Sequence, residues 1–99
     1  MNKTTGDCFE VAGRIVIDNN GETMLCHGTV VAKGVPRHKH AWVEMGDVCI
    51  DRSNGHNVTM RKNEYYKLGK VKDIVTYTKI QACELMLKTE HFGPWEKGT

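Results

Sequence analysis

The stretch His40-Ala41-Trp42-Val43-Glu44-Met45-Gly46-Asp47-Val48-Cys49-Ile50-Asp51-Arg52-Ser53 decides how this chain folds. Residues 40–45 and 48–53 flank Gly46-Asp47. A two-residue loop with glycine first suits a type II′ turn, whose twist matches that of two antiparallel strands. Met45 then faces Val48, Glu44 faces Cys49, and Trp42 faces Asp51. Side chains alternate along a strand, so His40 and Trp42 share a face. Asp51, opposite Trp42, lies on that face too. His40 and Asp51 become diagonal neighbours, roughly 7–8 Å apart by backbone and within side-chain reach.

Outward from the hairpin, the chain reads as alternating helices and strands. Asp7 is placed to cap a first helix, with Glu10 completing an Asp-x-x-Glu capping box. Phe9, Ala12, Ile15 and Val16 recur at helical spacing, and Asn20-Gly21 is a stop. Thr23 to Ala32 reads as a strand, broken by Lys33-Gly34-Val35-Pro36. Ser53 to Asn57 is a loop by composition. Arg61 to Leu68 reads as a short helix closed by Gly69, and Val71 to Tyr77 as a strand. Thr78 and Gln81 form a second capping box, opening a last helix. Its expected buried stripe is Ile80, Cys83, Met86 and Leu87. Gly93-Pro94 ends it, and Trp95 is expected to fold back onto the body. The order α-β-β-β-α-β-α describes an α+β domain with a small antiparallel sheet, an N-terminal helix carrying a cysteine and a C-terminal helix.

The 99 residues fit one domain, 1–99, able to bury a thin core unaided. A hydrophobic content of 39% with 26% charged residues describes a globular chain. The net charge of +2 is weak and its basic residues are scattered, which argues against a nucleic-acid partner. The N-terminus lacks the apolar run of an export signal, and Ile15-Val16-Ile17 is too short to span a membrane. A cytoplasmic setting follows, with Cys8, Cys26, Cys49 and Cys83 as free thiols.

The candidate chemistry lies in three residues. Cys8 occupies the first position of the first helix, where the dipole favours a thiolate. His40, oriented by the carboxylate of Asp51, has what a general base needs. The bland alternatives are a small buried cysteine and an aspartate that caps the following loop. Cys26, His27, His38, His40 and Cys49 invite a metal reading. Adjacent residues in a strand, such as Cys26 and His27, point to opposite faces, however, so no metal or other cofactor is expected. Glu44 and Asp47 flank a turn and imply no pocket for paired-carboxylate chemistry.

These residues resemble a known superfamily. His40-Ala41-Trp42-Val43-Glu44, followed by Cys49-Ile50-Asp51-Arg52-Ser53-Asn54, looks like the transglutaminase-like (papain-like) pattern. There a His-x-Trp strand precedes a strand ending in Asp-Pro-Ser/Thr, with the cysteine upstream at a helix start. Gly6-Asp7-Cys8-Phe9 matches that upstream position, and Arg52 stands in the place of the proline. The resemblance covers roughly residues 6–55 and is to compact bacteriophage or bacterial members. It implies Cys8 as nucleophile, His40 as base, Asp51 as its orienter, Trp42 as a wall of the site, and backbone N–H groups at the helix start as oxyanion donors. The expected activity is thiol-dependent acyl transfer at an amide or ester, on a protein or a small amide. Arg37 and Asn54 are placed on flanking loops as substrate contacts. The competing readings are a non-catalytic module on the same fold that captures a protein, and a nucleotide binder using Arg37, Lys39, Arg61 and Lys62.

Overall fold

A computed structural model describes residues 7–95 of the chain apart from Asn20, Lys33 and His56. Three helices and five strands follow in the order α1 (Cys8–Asp18), β1 (Met24–Ala32), β2 (Val35–Met45), β3 (Val48–Asp51), a 3-10 turn at Ser53–Gly55, β4 (Val58–Arg61), α2 (Lys62–Gly69), β5 (Lys72–Tyr77) and α3 (Lys79–Thr89). The strands form one antiparallel sheet, ordered β4-β3-β2-β1-β5. The fold is thus α+β, as expected. No helix among the described residues is long and apolar enough to cross a membrane.

The central hairpin has the expected register: Met45 pairs with Val48, Glu44 with Cys49 and Val43 with Ile50. Gly46 takes a φ of +61°, the backbone that a II′ turn demands of its first residue. The ladder then stops short of the Trp42–Asp51 pair. β2 is longer than the sequence suggested. It begins at Val35 and includes Pro36 to Lys39, expected to be a loop, because its other edge is held by β1 from Val30↔His38 to Met24↔Glu44. β4 was also not anticipated. Four residues, Val58 to Arg61, pair with β3.

Alternation along the strands gives the sheet two buried faces. On one, α1 and α3 pack against Leu25, Ala41 and Val43, with Phe9, Ala12, Val16, Ala82 and Trp95 completing the core. On the other, Cys26, Trp42 and Cys49 meet Tyr65 and Tyr66 of α2. Gly28 permits the close approach of β5 and Trp42 to β1. A Cβ there would stand 2.9 Å from both the Lys72 carbonyl oxygen and Trp42 Cη2.

Two helix details differ from expectation. Asp7 is the N-cap of α1, but its carboxylate makes no capping hydrogen bond, and Glu10 pairs instead with Arg14 Nε at 2.9 Å. In α3 the inward stripe is Ala82, Leu85 and Met86, while Ile80 and Leu87 are 71% and 82% exposed. Side-chain size misled here: small residues, Ala82 on α3 and Gly13 on α1, make the contact. A Cβ on Gly13 would lie 2.8 Å from Met86 and Phe92. Trp95 does fold back, and its indole donates to Thr89 Oγ1 at 3.0 Å.

The capping box of α3 is complete: Gln81 N donates to Thr78 Oγ1 at 3.1 Å, and Thr78 N to Gln81 Oε1 at 2.9 Å. Thr78→Ala should therefore lower stability by about 1 kcal/mol in a urea titration, whereas Leu87→Ser should change it by less than about 0.5 kcal/mol. The reverse order would mean that α3 packs by the face expected from its large apolar residues.

Candidate active site

Asp51 ends β3 and is held by donors on both carboxylate oxygens. Oδ1 accepts from the Ser53 amide at 3.1 Å and the Ser53 hydroxyl at 2.7 Å. The amide bond is an Asx-turn, formed because aspartate bonds the backbone two residues on. Oδ2 accepts from His40 Nε2 at 2.8 Å and from the Tyr65 hydroxyl at 2.8 Å. Asp51 thus both caps the following turn and pairs with His40, so the two readings of this residue hold together.

The third expected member also arrives. Cys8 lies close enough to His40 to raise its imidazole. The contact needs explanation, since α1 covers one face of the sheet while His40 and Trp42 belong to the other. The early end of the β2–β3 ladder provides it. Past Val43 and Ile50 the strands part. A small space there is lined by Cys8 and Ala12 of α1, Ala41 and Trp42 of β2, and Asp51 and Ser53. The start of α1 sits at this opening, so its first residue reaches a side chain on the far face.

Burial alone would push the His40 imidazole down, but its hydrogen bond to Asp51 and the nearby Cys8, with their charges, raise it from 6.5 to about 9. Burial would push the Asp51 carboxyl up. The bonds from His40 and Ser53 instead hold it well below the usual carboxylate range. Burial and the charge of Asp51 drive the Tyr65 hydroxyl far up, so it remains a donor. The site sets an imidazole that readily holds a proton between the Asp51 carboxylate and the sulfur of Cys8.

The remaining site residues fall as follows. Trp42 is fully buried beneath the site, its ring nearly parallel to His40 at 6.3 Å between centroids. Its indole donates to Glu44 Oε2 at 3.0 Å. Arg37 stands on a strand, not a loop, and donates to the carbonyl and hydroxyl of Thr29 at 3.2 and 2.9 Å. It is not brought to the Cys8–His40–Asp51 group. The backbone of Asn54 lies in the 3-10 turn, but its side chain, like all of His56, falls outside the described residues. Arg52, in the place of the family's proline, is exposed and donates to Asn57 Oδ1 at 2.7 Å.

Sequence reasoning missed Tyr65 and Ser53 as holders of Asp51. The Asp-x-Ser spacing was a legible turn signal. The Tyr65-Tyr66 pair in an otherwise polar helix was the other available sign. Tyr66 and Trp42 hydrogen-bond Glu44, with Lys62 at 3.6 Å. Burial would raise the Glu44 carboxyl, but these partners lower it. Glu44 is thereby satisfied as a buried structural carboxylate.

Comparison of the chain with protein-family models, with curated proteins and with solved structures found no match.

A raised histidine pKa contributes stability that is complete below the unfolded value of 6.5 and is lost as pH rises through about 9. The depressed Asp51 contributes above the ordinary carboxylate range and is lost in strong acid. His40 should therefore titrate near 9 by NMR, and Asp51→Asn should lower that midpoint by removing the strongest upward influence. A wild-type midpoint near 6.5 would contradict the charged pair.

Proposed function

We propose that this chain is a thiol-dependent acyl-transfer enzyme acting on an amide or ester, with Cys8 as nucleophile, His40 as acid–base and Asp51 as orienter. The observation that carries the reading is the His40–Asp51 hydrogen bond, with Cys8 near enough to act on the same imidazole, the three residues coming from three separate elements. A carboxylate–imidazole pair alone has many structural explanations. One that ends on the first residue of a helix, at a cysteine, matches the needs of covalent catalysis. The resemblance to transglutaminase-like proteins, in residue order and placement, supports the same assignment.

The steps follow from the chemistry of these groups. With the pair's proton already on His40, the Cys8 sulfur attacks the carbonyl carbon as the thiolate, forming a C–S bond. First-turn N–H groups of α1, left unbonded by the Asp7 side chain, are the donors available to the oxyanion. The C–N or C–O bond of the substrate breaks as His40 returns its proton to the leaving group. Water or an amine then attacks the thioester, the C–S bond breaks, and the thiolate is restored. Asp51 keeps one tautomer of His40 throughout, and Tyr65 and Ser53 keep Asp51 in place.

One observation favours a second reading, a non-catalytic module that captures a protein partner: Cys8 is only 6% exposed. The thiol itself discriminates the two. An enzyme predicts that iodoacetamide modifies Cys8 faster than Cys26, Cys49 and Cys83. Burial and the neighbouring Glu44 push Cys26 far up and Cys49 to about 12, which slows both. The rate at Cys8 should fall in His40→Ala. Asp51→Asn should reduce acyl transfer by as much as roughly 10⁴-fold with the fold retained. Equal rates at all four thiols, or partner capture undiminished by Cys8→Ser, would assign the chain to the second reading.

A further inference from the structure

A cavity of about 270 Å³ lies on the sheet face covered by α1. It is walled by Phe9, Tyr77 and Trp95, with His27 among them. The three aromatic rings surround the imidazole at 4.7, 5.0 and 5.1 Å between centroids. His27 is only 7% exposed, and its Nε2 has no hydrogen-bond partner among the described residues. Burial lowers this imidazole from 6.5 to about 4, so the ring among the aromatic walls is neutral at neutral pH. Charged side chains, Lys39 and Asp73, line it as well. The size falls just below the roughly 300–1,000 Å³ typical of small-molecule pockets, which suits one side chain.

The cavity adjoins the candidate triad along the chain and across the sheet. Phe9 follows Cys8, Lys39 precedes His40, and Gly28, which also lines the cavity, pairs directly with His40. We propose that this cavity is the subsite that selects the substrate of Cys8, taking a neutral aromatic side chain of a polypeptide beside the bond to be cleaved. The inference rests on the acyl-transfer reading and adds the substrate class. Aromatic walls favour an aromatic guest through edge-to-face contacts. The aromatic end of the cavity, with its neutral His27, penalises a charged one there.

Two measurements test it. The first follows the His27 ring protons by NMR while N-acetylphenylalaninamide, N-acetylglycinamide or tetramethylammonium is added to the whole chain. Saturable shifts with the phenylalanine amide alone are expected. Shifts with tetramethylammonium instead would make the cavity a cation cage and overturn the proposal. The second compares alkylation of Cys8 by N-benzyl-2-chloroacetamide and by chloroacetamide. The benzyl reagent should react faster by roughly ten-fold or more, the effect of burying one ring. Val75→Trp, at the half-exposed lining of the cavity, should bring that ratio to about one. Fast alkylation by both reagents without preference, and no shift, would remove the subsite and leave the reactive thiol standing. Slow alkylation by both, with the amide shift retained, would keep the pocket and remove the thiol chemistry.

Discussion

Everything in the site depends on where the β2–β3 ladder ends. Were the hairpin to continue one pair further, Trp42 would close against Asp51 and seal the sheet between α1 and His40. The ladder ends instead at Val43↔Ile50. Asp51 is free to turn its carboxylate into a second set of bonds, and the first residue of α1 meets a side chain of the opposite face. The energetic reason is the satisfaction of a buried charge. A carboxylate removed from water is costly unless paired and hydrogen-bonded. Ser53, Tyr65 and His40 meet that need only if the chain bends after Ile50.

The same face carries a second buried carboxylate with the same solution. Glu44 lies near Asp51, and consecutive residues of α2 serve the two: Tyr65 donates to Asp51, Tyr66 to Glu44. One short helix thus registers two polar groups, and Trp42 links them by stacking on His40 and donating to Glu44. Polar networks of this kind are favourable only when every member is satisfied. The rigidity they impose is what a pre-organised site requires. On the other face the fit of Gly13 against Met86 and Phe92 brings α1 and α3 close by omission of a side chain, and Gly28 does the same for β1 and β5 beneath Trp42 on the polar face.

Much of this was legible in the sequence because it rests on local rules. The Gly46-Asp47 turn fixed the hairpin register, strand alternation put His40 and Asp51 together, and the Thr78–Gln81 box placed α3. The failures share one cause, tertiary context overriding local pattern. Pro36 to Lys39 carries turn formers yet becomes strand, since β1 supplies its ladder. Val58 to Arg61 is too short to show a period, and pairing with β3 alone makes it a strand. Ile80 and Leu87 are large but face solvent, because the α1–α3 contact selects small residues. Within the site, the pairing of His40 with Asp51 was readable, whereas Tyr65, distant in sequence from Asp51, was not. Hydrogen bonds between elements leave no periodic trace.

The most direct test of the account is acyl transfer itself, followed by mass spectrometry with p-nitrophenyl acetate as donor. The account predicts a rapid acetyl adduct confined to the peptide bearing Cys8, its loss by hydrolysis, and its absence in His40→Ala. An adduct spread over lysines, or none at Cys8 in the folded wild-type chain, would contradict the claim that Cys8, His40 and Asp51 act as one catalytic unit.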